Sequence, residues 1–144
     1  MAEQELKLSV NQVVDMAENE RRKIAELESN MAAIHNMLRD TDNTIVSLSE
    51  IKENEGKELF IALGAGVYAK AEVKDSKKFL ATLPAGVVLN KSMTETNKML
   101  EDRKTSIKKD AEEISKALQS AVQNLRNLEG VLQKIAANQK KQTQ

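Results

Sequence analysis

A seven-residue repeat of apolar side chains in the first third of the chain constrains the fold more than any other feature. One position of the repeat is occupied by Val10, Ala17, Ile24, Met31, Leu38 and Ile45. The second position is occupied by Val13, Glu20, Leu27, Ile34, Thr41 and Leu48. Only Glu20 and Thr41 are polar in this seam. A repeat sustained over this length predicts a left-handed coiled coil.

The last third of the chain carries a second repeat of the same kind. Its first position is occupied by Met93, Leu100, Ile107, Ile114, Ala121, Leu128 and Ile135. Its second position is occupied by Asn97, Lys104, Ala111, Leu118, Leu125 and Leu132. Ser9 with Gln12, and Ser92 with Glu95, have the spacing of a capping box, which marks a helix N-terminus at each of these places.

Charge favours pairing of these two predicted helices with each other. Residues 1–56 hold 6 basic and 12 acidic side chains, whereas residues 92–144 hold 10 basic and 7 acidic ones. Opposite charge along the flanks of a coiled coil favours association. We therefore expect an antiparallel helical hairpin.

Between the two repeats the period of apolar residues changes from 3.5 to 2, which predicts β-strands. Turn residues at Gly64-Ala65-Gly66 and Pro84-Ala85-Gly86 divide these strands into two hairpins. Because four short strands cannot cover both faces or both edges, we expect them to pair with strands of other chains. The candidate oligomerisation residues, the strand set, are Leu59, Ile61, Leu63, Val67, Ala69, Ala71, Val73, Phe79, Ala81, Leu83, Val87 and Leu89.

The predicted fold class is α+β: a long antiparallel α-helical coiled-coil hairpin with two β-hairpins inserted between its helices. The expected segments are an N-terminal helix over 1–55, the hairpins over 56–91, a C-terminal helix over 92–138 and a flexible tail over 139–144.

Several classes of function receive no support from the residues. Without cysteine, and with a single histidine, His35, the chain offers no thiolate, metal or nucleophilic site that we recognise. Gly64-Ala65-Gly66 lies between strands, so we interpret it as a hairpin turn rather than a phosphate loop. A formal net charge of zero gives no field toward nucleic acid or lipid. We expect no enzyme activity and no cofactor, nucleic acid or membrane partner, in a soluble cytoplasmic protein.

The free end of the predicted hairpin, where residues 1–20 meet residues 125–144, carries apolar side chains both in and out of the seam. These candidate binding residues, the tip set, are Leu6, Leu8, Val10, Val13, Val14, Met16, Leu128, Val131, Leu132 and Ile135. Slight splaying of the helices would expose them to apolar partners. Ordinary core packing with scattered surface residues explains the same pattern, and periodicity does not decide between the two.

The insert ELFIALGAGVYAKAEVKDSKKFLATLPAGVVLNKS resembles the α-type subunit of archaeal prefoldin, most specifically from Leu63 to Asp75. The presence of two hairpins rather than one resembles the α-type subunit more than the β-type. This chain departs from the family in its second hairpin, where Pro84-Ala85-Gly86 stands in place of the G-A-G that the family often has. The resemblance implies two α-type and four β-type subunits joined by their strands in a double β-barrel. It also implies that unfolded client proteins are bound at the coiled-coil tips without ATP and passed to a group II chaperonin.

A structural alternative stays open at this point. A coiled-coil protein whose strand edges pair without closing would form filaments and transfer no client. Native mass as a function of concentration separates the two hypotheses.

Overall fold

A computed structural model describes residues 9–143. The chain forms a helix α1 (Val10–Glu53), four strands and a helix α2 (Met93–Gln142). The strands are β1 (Glu58–Gly64), β2 (Val67–Glu72), β3 (Lys78–Thr82) and β4 (Val88–Ser92). The predicted fold class, two long helices with two antiparallel β-hairpins between them, is confirmed. The residues divide into two compact units: a helical unit (described residues 9–34 and 109–143) and a strand unit (His35–Lys108).

In the helical unit, α1 begins with the predicted capping box. The Ser9 N–H donates to Gln12 Oε1 over 2.8 Å, and the Gln12 N–H donates to Ser9 Oγ over 3.3 Å. This exchange satisfies two backbone donors that the first helical turn otherwise leaves without partners.

The core of the helical unit follows the seven-residue repeat. Val13, Ala17 and Ala121 are 2% exposed or less. Small residues at two of these buried positions allow the backbones of α1 and α2 to approach closely. Arg21 on α1 forms an ion pair with Glu129 on α2, with 2.9 Å between Nη2 and Oε1.

In the strand unit, each hairpin forms its own two-stranded antiparallel sheet. β1 pairs with β2 so that Ile61 lies opposite Ala69, and β3 pairs with β4 so that Ala81 lies opposite Leu89. Ala81 is buried, and it lines one depression together with Leu48 of α1 and Leu100 of α2. The second hairpin therefore packs beside both helices within this unit.

Two local contacts hold the connections of the strand unit. Ser92 and Glu95 form the second predicted capping box. The Ser92 N–H donates to Glu95 Oε2 over 3.1 Å, and the Glu95 N–H donates to Ser92 Oγ over 3.2 Å. The hydroxyl of buried Ser76 donates to the carboxylate of Glu55. This bond links the end of α1 to the turn between the two hairpins.

Gly64-Ala65-Gly66 is a hairpin turn, as predicted. All three residues have positive φ, 112°, 50° and 78° in order, and the strand register shifts between Ala62 and Gly64. Glycine at two of the three positions permits this backbone at little steric cost.

The helix α2 continues through Gln142, beyond the boundary at residue 138 that we expected. Lys140 and Lys141 lie in its last turn, where cations interact favourably with the helix dipole. Whether residues 139–144 move as a flexible tail stays a prediction.

Candidate assembly and client-binding surfaces

The register of the first hairpin places half of its side chains on one face. Leu59 lies opposite Ala71 and Ile61 opposite Ala69, so these members of the strand set share a face. Leu59, Ala69 and Ala71 are half-buried, whereas Ile61 is exposed. Leu63 and Val67 flank the turn and are also exposed. The structure thus brings these first-hairpin residues together and leaves much of their apolar area uncovered. Val73, the remaining first-hairpin member of the strand set, lies just beyond the end of β2 and is half-buried.

In the second hairpin the strand set is divided between covered and uncovered residues. Ala81 is buried, and Phe79 and Leu83 are half-buried. Val87 and Leu89 remain exposed. Leu83 N–H donates to the Val87 carbonyl oxygen over 2.8 Å, which holds the turn closed although neither residue lies within the assigned strands.

Sequence reasoning missed the opposite faces of both hairpins. Phe60 and Tyr68 of the first hairpin are 66% and 64% exposed, and Leu80 and Val88 of the second are 74% and 55% exposed. The signal was present in the sequence, because these apolar residues alternate with the strand set. Strands with apolar residues on both faces are typical of sheets covered on both sides.

The edges of the sheets are also open among the described residues, because each sheet contains two strands and no third. Each strand therefore has one row of backbone N–H and C=O groups without a sheet partner. Apolar faces and unpaired edges together make the four strands a surface suited to pairing with other chains.

The helical unit holds the members of the tip set that the structure describes; Leu6 and Leu8 lie outside the described residues. Exposed side chains are Val10, Val14, Met16 and Val131. Leu128, Leu132 and Ile135 are half-buried, and Val13 is buried in the seam. The exposed group includes three residues that the seven-residue repeat does not require: Val14, Met16 and Val131.

A groove of about 490 Å³ lies between α1 and α2 in the helical unit. Its walls are formed by Met16, Asn19, Glu20, Asn124, Asn127 and Leu128. Glu20 occupies a seam position, and its Oε2 atom is shielded from solvent without a hydrogen-bond donor among the described residues. The two neighbouring arginines are engaged elsewhere: Arg21 with Glu129 at 2.9 Å, and Arg22 with Glu18 at 3.7 Å.

Two polar seam residues of the strand unit, Thr41 and Lys104, have partners instead. Thr41 is buried, and its hydroxyl donates to the Met37 carbonyl oxygen over 2.8 Å. Lys104 Nζ lies 2.6 Å from Asp42 Oδ1, and the Lys104 side chain is 27% exposed. The hydrogen bond to Asp42, reinforced by charge attraction, raises the pKa of Lys104.

The described residues offer little else that resembles a site. His35 is exposed, and no group of three or more His, Cys, Asp or Glu side chains in residues 9–143 is arranged to hold a metal ion. None of the helices in the described part of the chain is long and apolar enough to cross a membrane.

Comparison with known proteins identifies the family of this architecture. A family model described as "Prefoldin subunit" matches residues 21–138. The chain belongs to the prefoldin family. The resemblance seen in the β-hairpin insert is thereby confirmed over most of the chain.

Curated prefoldin relatives of this chain are archaeal alpha subunits. Prefoldin subunit alpha of Thermofilum pendens is 29% identical over 105 residues, which cover 72% of this chain and 81% of that protein. Prefoldin subunit alpha of Archaeoglobus fulgidus is 29% identical over 126 residues, covering 88% and 85% respectively.

Among solved structures, the fold resembles that of filamentous prefoldin from Methanocaldococcus jannaschii, with a TM-score of 0.54 and 16% identity. The match covers 84% of this chain and 95% of that one. Prefoldin family members are chaperone subunits that assemble with other prefoldin subunits, and this class of function applies to the present chain.

Proposed function

We propose that this chain is the α-type subunit of a cytoplasmic prefoldin that holds unfolded polypeptides without ATP and delivers them to a group II chaperonin. Two such subunits and four β-type subunits join their hairpins in a double β-barrel. The observation that carries this proposal is the division of exposed apolar side chains between the strands and the helical unit.

The strand unit supports the assembly step. Apolar residues are exposed on both faces of the hairpins, and the strand edges are open. Pairing with strands of other subunits would satisfy the edge groups and cover side chains such as Phe60, Ile61 and Leu80. Burying an aromatic or branched apolar side chain fully contributes roughly 1.5–3 kcal/mol, so several such residues per subunit give a stable complex.

The helical unit supports the client-binding step. Val10, Val14, Met16 and Val131 are exposed on helices, where no open backbone edge invites permanent pairing. Contacts through such side chains depend on apolar area more than on fixed polar geometry. The flexible thioether of Met16 adapts to many client sequences.

Weak contacts at single arms explain holding and release without a nucleotide. A few partly buried apolar contacts bind with about millimolar affinity, near 4 kcal/mol. Several arms on one barrel make later contacts intramolecular, which adds a factor of about 10²–10⁴ in avidity. Each contact still breaks quickly, so a client passes to the chaperonin without ATP hydrolysis by the prefoldin.

The test is aggregation of a chemically denatured client, followed by light scattering without nucleotide. The full chain is reconstituted with a β-type partner and compared with an equally assembled variant that lacks residues 1–20 and 125–144. Native mass spectrometry verifies the assembly in both samples. We expect suppression by the intact complex and loss of suppression in the variant.

No suppression by a verified closed complex overturns the proposal. Filaments whose length grows with protein concentration, without suppression, would favour the structural alternative.

A further inference from the structure

Glu20 stands out as a carboxylate with no ion-pair partner, and with no donor to its Oε2 atom, among the described residues 9–143. None of the ion pairs within residues 9–143 includes Glu20, although Arg21 and Arg22 directly follow it in the sequence. The two arginines point to other carboxylates because successive residues on a helix face different directions. The Oε2 atom of Glu20 is shielded from solvent, and a carboxylate oxygen that has lost water without gaining a donor is unfavourable, so the site favours a cationic ligand.

The walls around Glu20 combine three kinds of contact. Met16 and Leu128 supply apolar surface, and Asn19, Asn124 and Asn127 supply amide groups. Asn127 already accepts a hydrogen bond from Gln123 Nε2 over 3.0 Å, which orients its side chain. Amide side chains both donate and accept, as the backbone of an extended peptide requires.

We propose that this groove binds a basic side chain of an unfolded polypeptide, so that the α-type arm prefers client segments with arginine or lysine beside an apolar residue. The apolar residue packs on Met16 and Leu128, the client backbone bonds to the asparagine amides, and the cation approaches the carboxylate of Glu20. This inference rests on the proposed client-holding function and adds a sequence preference to it.

The negative charge of Glu20 attracts a cation in the groove although its Oε2 atom is shielded from solvent. Its negative charge is shared by two oxygens, and the terminal torsion of a glutamate side chain is soft. A guanidinium is suited to this acceptor because it carries five donors in a planar fork and is weakly hydrated. The groove volume of about 490 Å³ accommodates one such side chain with an apolar neighbour.

The experiment uses the full chain in the reconstituted complex, with ¹³C at the methionine methyl groups of this subunit only. Met16 lines the groove and reports binding there, whereas Met37 and Met99 in the strand unit serve as internal references. Two short unfolded peptides are titrated, one with leucine beside arginine and the other with citrulline, the neutral isostere, in place of arginine.

We expect the Met16 signal to reach half-saturation at a concentration about five- to tenfold lower for the arginine peptide, as befits a hydrogen bond to a charged group. In Glu20→Gln this ratio falls to about one, while the citrulline peptide binds as before. Glu18→Gln is the matched control: it removes one negative charge from an exposed carboxylate of the same helix that does not line the groove, and it keeps the ratio.

Equal half-saturation for both peptides in the wild-type complex overturns the inference. A Met16 signal that neither peptide shifts also overturns it, and suppression of client aggregation by the same sample then shows that the holding function survives. A Met16 shift that depends on protein concentration without any peptide assigns the groove to a second copy of the complex and equally overturns it. If the same sample neither binds peptide nor suppresses aggregation, the proposed function itself has failed.

Discussion

The two units differ in whether polar side chains in the helical seam have hydrogen-bond or ion-pair partners. In the strand unit, the Thr41 hydroxyl donates to a backbone carbonyl and Lys104 lies 2.6 Å from Asp42. In the helical unit, Glu20 lines an open groove and its Oε2 atom has no donor among the described residues. A satisfied polar group stabilises one pairing of the helices, whereas an unsatisfied one favours a ligand.

Exposed apolar side chains differ in the same way. On the strands of the strand unit they accompany open backbone edges, which favour lasting pairing with other strands. In the helical unit they lie on helices whose backbone hydrogen bonds are internal, so the side chains alone contact a partner. We therefore expect backbone structure, rather than apolar area, to distinguish the proposed lasting assembly surface from the proposed transient binding surface.

The largest effect is expected from a charge in the strands. Ile61→Asp places a carboxylate on a face that we propose to be buried in the assembly, so the native complex is lost. Native mass spectrometry measures this loss, and far-UV circular dichroism checks that the helices persist. Ile61→Val keeps the complex as the matched control. An unchanged native mass for Ile61→Asp contradicts assembly through this face.

A smaller effect is expected from removing apolar area in the helical unit. The triple change Val14→Gln, Met16→Gln and Val131→Gln is expected to weaken client binding about a hundredfold, since three side chains that each contribute about 1 kcal/mol when partly buried sum to about 3 kcal/mol. Light scattering of a denatured client measures the loss. Native mass is expected to stay the same.

The control for the triple variant lies in the other unit. Met37 and Val46 are exposed side chains of α1 in the strand unit, and changing both to Gln removes comparable apolar area there. This variant is expected to hold clients like the wild type. Equal losses in the two variants would mean that clients bind without regard to the unit.

Glu20→Leu sharpens the comparison of the seams. Replacing an unsatisfied polar group with a seam leucine is expected to raise the free energy of unfolding by about 1 kcal/mol. Urea denaturation followed at the helical dichroism band measures the change, with isosteric Glu20→Gln for reference. A loss of stability would show that Glu20 makes a stabilising contact.

The smallest effect on stability is expected in the strand unit, where the polar seam residue Lys104 has Asp42 as its partner. Asp42→Asn weakens the hydrogen bond and charge attraction that raise the pKa of Lys104, and so lowers the melting temperature modestly at pH 7. A raised lysine pKa stabilises the fold fully below the unfolded value, about 10.4, and the stabilisation is lost as pH rises through the folded pKa. Thermal melts between pH 7 and 11.5 are expected to converge for the two proteins at the alkaline end. If the difference in melting temperature between the wild type and Asp42→Asn does not narrow as the pH rises, the Lys104 charge has no role in this stabilisation.

Much of the fold was predictable because its signals are local. Alternation at period 2 located the two hairpins, and both capping boxes formed as their spacing predicted. The family followed from the hairpin insert, where turn residues and strand residues combine in a specific order. The end of α2 was harder to predict, because Ala, Gln and Lys near a helix C-terminus fit both a last turn and a tail.

The candidate surfaces were only partly predictable. Apolar residues of the strand set and tip set were identified by type, but Phe60, Tyr68, Leu80 and Val88 were missed because the strand set took only one of the two alternating sets of positions. The roles assigned to both sets stay proposals.

The sequence by itself determined the two helices, the four strands and the places where helices begin, since periodicity and capping act between residues that are near in the chain. Only the tertiary structure shows which charges pair between the two helices. Arg21 pairs with Glu129, 108 positions away, and Glu20 has no ion-pair partner within residues 9–143. An ion pair within one helix, such as Arg22 with Glu18, follows from i,i+4 spacing, whereas a pair between helices depends on the rotation of one helix against the other, which the spacing along a single helix does not specify.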